Sequence, residues 1–489
     1  MGQSEKPNVL LLIADSLRPD PLSCYGGSVA TEAFDRVANS GTVFERAYAC
    51  APGTAISHAS LFSGQYPSTS GIDGQKDIPE SVPMLAEHLA ANGYETFGIP
   101  GPSRMGSTWG YDRGFDRYYE TYLDEHPSYD DPLALASNVL THENRWLLIR
   151  DFLRALTDGF DSYTNFKLEL LKHQIETTLT PPFYAMMNTT IVHQPWRAPR
   201  PYMKDATPEL RRPKVGILEH VLDETLAIDR EDVRIDRLLA CETTEGKARV
   251  LNDPDFLRNS ELEVLWAWYT ACIRYLDDQL ATFLQWFDDR GYAEDTLLIL
   301  TADHGECFLE HDLWTHSYGL YDEVLHVPLL MRGPSVPAGE RVSEFVSLVD
   351  VFDTVCDVAG LTPPASTDGR SMFHDEARDA VFAEYGPSEG THLETLADPD
   401  EETLARLRLG QKGVRTDEHL YVFLSDGTEE LYRRPSEEPI PDPDPETLER
   451  FRTRLDDKLG LDFQSTASDP YEDVSGDVRA NLKELGYID

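Results

Sequence analysis

The sequence predicts an α/β protein: a three-layer α/β/α sandwich with a mostly parallel central sheet, followed by a small C-terminal subdomain with an antiparallel sheet. Two observations predict this class. Short apolar runs alternate along the chain with segments of helical periodicity, which is typical of a doubly wound sheet. Beyond about residue 375 the pattern changes to short alternating runs, which favour antiparallel pairing.

Four apolar runs predict strands of the central sheet, because each is short and is bounded by polar or turn-forming residues. They are Val9–Ile13, Thr96–Ile99, Phe183–Met187 and Thr296–Leu300.

Three segments predict helices around that sheet. Val82–Asn92 spaces its apolar residues at helical intervals, and Ala55–Ser63 predicts a short helix that ends at Gly64. The longest helix begins at Ser260–Glu263, which we interpret as a capping box, and ends at Gly291. Both stops are glycines, the residue type that most often ends a helix.

The C-terminal region carries four alternating runs and a turn signal at Asp426-Gly427. Its predicted strands are Val381–Tyr385, Gly413–Arg415, Leu420–Leu424 and Glu430–Arg433. We therefore predict an α/β domain over residues 1–374 and a C-terminal subdomain over residues 375–489. Charged, weakly patterned segments at about 120–180 and 200–255 predict helical insertions over one edge of the sheet.

The charge disfavours two classes of partner. The chain has 489 residues, with 43 Lys+Arg and 87 Asp+Glu, giving a formal charge of −44. Such a surface repels nucleic-acid phosphates and anionic lipids, so we expect neither nucleic acid nor a membrane as partner. The acidic excess is spread along the whole chain, which is typical of haloarchaea and other extreme halophiles. An ordinary acidic cytosolic protein is the alternative.

Cysteine usage and the N-terminal segment both predict a cytoplasmic protein. The six cysteines include no CxxC pair, so neither a disulfide framework nor a zinc ribbon is indicated. The first apolar run, from Val9 to Ala14, is too short for a signal peptide or a membrane span.

Polar residues follow three of the predicted strands, at the edge where open α/β sheets bind ligands. Asp15 follows the first strand, His193 lies beyond the third, and Asp303-His304 come after the fourth. Carboxylate and imidazole donors suit a divalent ion. An Asp-His pair after a strand is by itself more often structural, but Asp15 at an equivalent strand end favours a metal site.

Thr54 lies at the start of the predicted helix 55–63, where free backbone N–H groups and the helix dipole favour an anionic ester. A hydroxyl that also contacts a metal ion loses its proton more readily and becomes a nucleophile. His58 lies one turn further along the same face. The alternative is that Thr54 is only the N-cap of this helix.

Several segments occur in a recognisable order: NVLLLIADSLRPD, TAISHASLFSGQYPS, TLLILTADHGE and EHDLWTHSYGLYDEVLHVPLLMRGP. They resemble sulfatase-type members of the alkaline phosphatase superfamily, over nearly the whole chain. The resemblance implies one divalent ion (Ca, Mg, Mn or Zn) and a threonine nucleophile, with three histidines that hold substrate oxygens. The implied ligands are Asp15, Thr54, Asp303 and His304, and the implied catalytic residues are Thr54, His58, His193 and His316.

One departure from the family pattern bears directly on the chemistry. Sulfatases carry Cys or Ser in a C/S-x-P-S-R motif, where that residue is oxidised to formylglycine. The register of Leu61, Ser63 and Gly64 places Thr54 at this position, and its methyl group prevents formation of the aldehyde. Threonine-dependent relatives act on phosphorus. Cys50 also begins a C-x-P sequence, but the arginine is missing and the spacing is too long, so we expect a packed thiol.

Three further positions differ from the family. Ser16 replaces the second Asp of the opening pair, and Thr189 stands four residues before His193, where relatives with two metal ions carry Asp. His316 takes the place of a substrate-binding lysine; a histidine there holds an anionic oxygen or protonates a leaving group. His311 either helps to orient a metal ligand or is a loop histidine whose hydrogen bonds are satisfied by its neighbours.

The sequence therefore predicts a metal-dependent hydrolase or transferase of phosphoric mono- or diesters or related esters. The expected substrate is a small-molecule or glycan-linked anionic ester. A covalent phospho-threonine at Thr54 forms first and is then cleaved by water. Two alternatives stay open: a sulfuric ester hydrolase, similar to arylsulfatases, and a homologue that binds a metal ion or an anion without turnover.

Overall fold

A computed structural model describes residues 6–74, 77–101, 103–120, 146, 150, 161, 163–208, 210–211, 227–228, 230–373, 377–387 and 401–463. Most of the predicted insertion at 120–180, and part of that at 200–255, lies outside the described residues. The prediction that these insertions cover the sheet edge therefore stays a prediction.

The described chain contains a central mixed sheet and a separate C-terminal sheet. In chain order the strands are β1 (Asn8–Ala14), β2 (Thr42–Tyr48), β3 (Glu95–Ile99), β4 (Arg117–Tyr118), β5 (Phe183–Thr189), β6 (Leu210–Arg211), β7 (Ala227–Ile228), β8 (Thr296–Thr301), β9 (Cys307–Phe308), β10 (Trp314–Thr315), β11 (His326–Arg332), β12 (Glu340–Ser347), β13 (Val381–Tyr385), β14 (Gln411–Arg415), β15 (His419–Leu424), β16 (Glu429–Arg433) and β17 (Glu438–Pro439). The central sheet has eight strands in the order β12-β2-β11-β8-β1-β5-β3-β4. Its neighbours are parallel except at β11, which runs antiparallel to β2 and β8. The predicted mostly parallel sheet is confirmed.

Helices form the outer layers. In chain order they are α1 (Glu32–Ser40), α2 (Thr54–Ser63), α3 (Pro67–Ser70), α4 (Leu85–Ala91), α5 (Thr164–Thr177), α6 (Arg200–Ala206), α7 (Ile235–Ala240), α8 (Thr244–Asn252), α9 (Asn259–Asp289), α10 (Asp322–Leu325), α11 (Asp350–Val358), α12 (Glu401–Leu407) and α13 (Pro445–Leu459). One group packs around α9 and includes α1, α5 and α6, and the other packs around α2 and includes α4 and α11. In the described part of the chain, no helix has the length and apolar character needed to cross a bilayer.

The strands β1, β5 and β8 lie side by side at the centre of the sheet. Every residue in them is buried, because a parallel strand covered by helices on both faces has no solvent side. Leu11 pairs with Met186 of β5 and with Ile299 of β8. The predicted apolar runs are therefore strands, and the carboxyl ends of all three lie at one edge.

The start of α9 corrects one prediction. Ser260–Glu263 is not the capping box: the N-cap is Arg258, and its N–H donates to the carboxylate of Glu261 at 2.9 Å. Ser260 Oγ donates to a carbonyl outside the helix. The carboxylate that closes a capping box is the one three residues beyond the true N-cap. The predicted stop is correct, with Gly291 in the left-handed region at φ 78°.

The five-stranded antiparallel sheet β13-β14-β15-β16-β17 confirms the predicted C-terminal architecture. Gly427, at φ 89°, lies in the predicted turn between β15 and β16. Among the contacts that join this sheet to the rest of the chain, the Glu384 N–H donates to the Cys50 carbonyl at 2.8 Å, and the Arg415 guanidinium pairs with Asp322 at 2.8 Å. A domain boundary at 374–375 stays a prediction.

Candidate active site

Two carboxylates and an imidazole converge at the carboxyl edge of the central sheet. Asp15 directly follows β1, and Asp303 and His304 come just after β8. All three side chains are fully buried, and their donor atoms lie within 4.8 Å of one another. The predicted convergence of these strand ends on one site is therefore present in the structure.

The two carboxylates each keep one oxygen unused. Asp303 Oδ1 accepts from the backbone N–H groups of Ser16 at 3.2 Å and His304 at 2.9 Å. Ser16 reaches this position in the left-handed region, at φ 62°. The Oδ2 atoms of Asp15 and Asp303 are buried and accept no hydrogen bond from the described residues. Buried oxygens without donors fit a cation between them, because an unpaired buried carboxylate is costly.

Hydrogen bonding fixes the tautomer of His304. Its Nδ1 lies 2.9 Å from the Gly305 carbonyl, which only accepts, so Nδ1 carries the proton. Nε2 is therefore a lone-pair donor. It lies 3.0 Å from Thr54 Oγ1 and 3.3 Å from Asp303 Oδ2. The imidazole thus offers an unprotonated nitrogen to the same point that the two carboxylates face.

Burial dominates the electrostatics of this cluster. It raises the pKa of Asp303 to about 7, and together with the charge of Asp303 it raises the pKa of Asp15 to about 6. Burial also lowers the pKa of His304. Each shift disfavours a charged form, so the cluster lacks a compensating positive charge. A bound divalent cation supplies such a charge, and the donor set therefore fits the metal that the sequence predicts.

Thr54 is the first residue of α2, in agreement with the predicted helix start. Gly53 is the N-cap in extended conformation, and Gly64 ends the helix at φ 67°. Ser57 Oγ donates to the Asp303 carbonyl at 2.6 Å, which ties the first turn of α2 to the end of β8. The Thr54 hydroxyl, at a helix N-terminus and beside an unprotonated imidazole, is placed as a nucleophile would be.

His58 lies one turn along α2, fully buried, with both ring nitrogens engaged. Nδ1 donates to the Thr54 carbonyl at 2.8 Å, and Nε2 accepts from Asn188 Nδ2 at 2.8 Å. Burial lowers its pKa to about 3, so the ring is neutral. Sequence reasoning missed Asn188. The available signal was a carboxamide directly after the apolar run Phe183–Met187, at the ligand-binding end of β5.

His193 and His316 lie beside each other next to the cluster. Their ring centroids are 4.9 Å apart, and the His316 ring lies 4.4 Å from that of His304. Glu306, which sequence reasoning also missed, accepts from His316 Nδ1 at 2.9 Å. The signal for Glu306 was its place two residues after His304. The structure thus brings all the predicted site residues together.

Two cysteine and histidine positions lie outside the cluster. Cys50 is a fully buried thiol with Sγ 3.4 Å from Ser347 Oγ, and burial raises its pKa to about 12. It is therefore a packed thiol, as predicted. His311 lies 3.3 Å from Glu323 and 3.5 Å from Glu437 and stacks on Tyr321, which favours the interpretation as a satisfied loop histidine.

Residues 7–361 match the Sulfatase family. The chain belongs to this family of ester hydrolases. A sulfatase from Formosa agariphila is 22% identical over 455 residues, which cover 88% of this chain and 82% of that protein. The uncharacterized sulfatase YidJ from Escherichia coli is 26% identical over 411 residues, covering 79% and 75%. Arylsulfatase K from Homo sapiens is 35% identical over 113 residues, which are 23% of this chain and 21% of that protein.

Solved structures show the same fold for the sulfatase-family chain. The phosphonate monoester hydrolase SpPMH from Silicibacter pomeroyi superposes with a TM-score of 0.64 at 20% identity, covering 93% of this chain and 94% of that one. The phosphonate monoester hydrolase of Agrobacterium radiobacter gives 0.60 at 20% identity, covering 98% and 95%. BT4656, in complex with D-glucosamine-2-N,6-O-disulfate, gives 0.59 at 17% identity, covering 99% and 98%.

Proposed function

We propose that this chain hydrolyses a phosphoric monoester, a phosphodiester or a related phosphorus ester, with the Thr54 hydroxyl as nucleophile. The position of Thr54 carries this proposal: it opens α2, and its Oγ1 lies 3.0 Å from the unprotonated Nε2 of His304. Threonine cannot become the formylglycine aldehyde, so the hydroxyl itself must react. Two structures with this fold are phosphonate monoester hydrolases, which supports phosphorus as the reacting centre.

We propose that one divalent ion is held by Asp15, Thr54, Asp303 and His304. Two unpaired carboxylate oxygens and a lone-pair nitrogen support this ligand set. Mixed oxygen and nitrogen donors suit Mg, Mn, Zn or Ca. Such an ion, when bound, lowers the pKa of a ligating hydroxyl and neutralises charge on the ester.

The chain's own groups divide the reaction into two steps. The N-terminal N–H groups of α2 hold the anionic group in front of Thr54. The Thr54 hydroxyl loses its proton to solvent when it would ligate the ion, and its oxygen then forms a bond to phosphorus while the P–O bond to the leaving group breaks. The leaving oxygen takes a proton from His316, which Glu306 orients. Water then gives a proton to His316 and attacks phosphorus, and the bond from phosphorus to the Thr54 oxygen breaks. The Thr54 oxygen takes up a proton from solvent, and because phosphorus is attacked twice its configuration is retained overall.

The remaining two histidines have different tasks in this proposal. His193, beside His316, holds a non-bridging oxygen of the ester. His58 has both nitrogens engaged by Thr54 and Asn188, so we assign it a positioning role in the first turn of α2 rather than contact with substrate. The acidic surface supports a high-salt cytosol as the working environment, where screening reduces self-repulsion.

Sulfuric ester hydrolysis is the second candidate, favoured by the family and by fold neighbours that are themselves sulfatases or putative sulfatases. It requires that unmodified Thr54 attack sulfur, because Cys50 is packed in the core against Ser347. A sulfated or phosphorylated glycan is a substrate class that both candidates share.

The test is a hydrolysis panel of nitrophenyl phosphate, bis-nitrophenyl phosphate and nitrophenyl sulfate. It is run in molar KCl with Ca, Mg, Mn or Zn salts in turn. We expect turnover of a phosphorus ester. Thr54→Ala should reduce its kcat/KM by about 10⁴-fold or more, because the covalent step is lost. Thr54→Ser keeps the hydroxyl and is the matched control, with a reduction of about tenfold at most.

Three outcomes contradict parts of this proposal. Sulfate-ester turnover that depends on Thr54 would replace phosphorus by sulfur as the reacting centre. Turnover that survives Thr54→Ala would remove Thr54 as nucleophile. Binding of metal without turnover of any ester would favour the non-catalytic homologue.

A further inference from the structure

Lys247, on α8, is a half-buried lysine in the described part of the chain. Its ammonium makes no hydrogen bond and no ion pair with any described residue. Burial lowers the pKa of Lys247, and the negative charges of Glu306 and Glu242 act in the opposite direction. A partly desolvated ammonium that lacks a direct partner is unfavourable, and an anion from outside the chain would relieve that cost.

Two contacts fasten the segment that leads into α8 to the loop that carries His193. Gln194, the next residue, donates from Nε2 to the carbonyl of Cys241 at 3.0 Å. The guanidinium of Arg197 forms an ion pair with Glu242. These contacts hold the start of α8 close to His193, through two residues that follow it in the chain.

The first turn of α8 is itself fixed in place. Thr243 caps the helix by accepting from the Gly246 N–H at 3.1 Å. A Cβ on Gly246 would lie 1.7 Å from the Ala240 carbonyl, so this close approach requires glycine. Lys247 is the next residue, and its backbone position is therefore well determined.

Lys247 lies on a helix that packs beside His316. Helix α8 packs against β10, and β10 ends directly before His316. Burial raises the pKa of Glu306, which the charge of Lys247 opposes, and burial lowers the pKa of His193, to which the same charge contributes, so the ammonium lies within electrostatic reach of both side chains.

The two carboxylates near Lys247 have other partners. Glu242 is paired with Arg197, and Oε1 of Glu306 accepts from His316 Nδ1. The second oxygen of Glu306 is buried without a hydrogen bond, but Lys247 does not approach it within 4.0 Å. The ammonium of Lys247 therefore forms no ion pair with either carboxylate.

We propose that Lys247 is a substrate-binding residue whose ammonium binds a non-bridging oxygen of the anionic group that reacts at Thr54. The ligand class is a tetrahedral oxyanion, phosphoryl or sulfuryl. The inference rests on the proposed function, because it assumes that this group is held between α2 and the two histidines. Lys247 belongs to the 200–255 segment, so this segment contributes directly to substrate binding.

The test measures inorganic phosphate binding by calorimetry, with the same divalent salt in every titration. We expect Lys247→Met to weaken phosphate binding by about tenfold or more, since a charge-assisted contact is lost. Lys247→Arg should restore most of the affinity. Lys172→Met is the matched control: it removes a half-buried lysine of α5 that pairs with Glu169, and should leave the affinity unchanged.

Three results would overturn the inference. Unchanged phosphate affinity in Lys247→Met, with a lower Tm, would mean that Lys247 only balances the charge of Glu306. An equal loss in Lys172→Met would mean a general charge effect. Failure of the unaltered protein to bind phosphate would also overturn it. If phosphate binding depends on Lys247 while no ester is hydrolysed, this inference stands and the proposed function fails.

Discussion

The two sides of the site are built on different kinds of backbone. Asp15 and Asp303 follow buried parallel strands, and their positions are set by the register of β1 and β8. His316 lies in a loop in which several residues other than glycine occupy the left-handed region. Those residues are Leu309 (φ 72°), His311 (φ 55°), Asp312 (φ 55°), Thr315 (φ 64°) and Ser317 (φ 88°).

The difference teaches how each side keeps its geometry. At the strand ends, the register of the sheet fixes the positions of Asp15 and Asp303. In the loop, each left-handed residue costs about 1–2 kcal/mol, so side-chain contacts must hold it. Glu306 binds His316, and the ring of His311 stacks on Tyr321 with centroids 3.7 Å apart. We infer that the strand-end side holds the metal and the loop side handles the leaving group.

The strongest test of this division is Asp303→Asn. Asparagine keeps the Oδ1 acceptor for Ser16 and His304 but removes the negative charge, so the fold survives while the ligand is weakened. We expect divalent-metal affinity to fall by about 100-fold or more, with turnover falling in parallel. Metal content after dialysis, measured by atomic emission, checks this.

The control is Asp353→Asn, which removes another buried carboxylate whose pKa burial raises to about 6, on α11. Its metal content should equal that of the unaltered protein. If Asp303→Asn keeps its full metal content, the proposal that the strand ends bind the metal is wrong.

A smaller effect is expected on the loop side. His316→Asn should lower kcat by about 100-fold, because proton donation to the leaving group is lost. Glu306→Gln keeps an acceptor for His316 and should lower kcat by about tenfold. Metal content should stay the same in both variants, which separates them from Asp303→Asn. Loss of metal in either variant would mean that the loop side also takes part in metal binding, and the division between the two sides would be wrong.

The smallest expected effect concerns the stability of the loop. The carboxylates of Glu323 and Glu437, with Glu310 further away, raise the pKa of His311 although burial opposes them. A raised pKa in the folded state stabilises the fold fully below the unfolded value of about 6.5, and this contribution is lost as pH rises through the folded value. His311→Gln should therefore lower the free energy of unfolding by about 1 kcal/mol near pH 6 and by less near pH 9.

Urea unfolding at the two pH values measures this difference. His173→Gln, at an exposed position of α5, is the control and should change the free energy of unfolding by about 0.5 kcal/mol at most. An effect of His311→Gln that grows with pH would contradict the ion-pair interpretation.

Sequence reasoning located the elements well where the pattern is local. Val9–Ile13 and Thr296–Leu300 are buried strands because their apolar runs are continuous, and Gly64 ends α2 because a left-handed residue is needed there. It misplaced the start of α9, since Ser260 binds a carbonyl outside the helix. A serine near a helix start predicts an N-cap, but the Ser260 hydroxyl binds the Asp232 carbonyl instead, and Asp232 is distant in sequence.

By itself, the sequence determined which side chains reach the site: Asp15, Thr54, Asp303 and His304 each follow a strand or open a helix, and those are local features. Only the tertiary structure decided their partners. The Thr54 hydroxyl meets His304 across 250 residues of sequence, and Asn188 meets His58 across 130. The packing of α8 on β10 likewise brings the helix that carries Lys247 beside His316. Periodicity predicts the face of an element, whereas the approach of two distant elements depends on how the whole core packs.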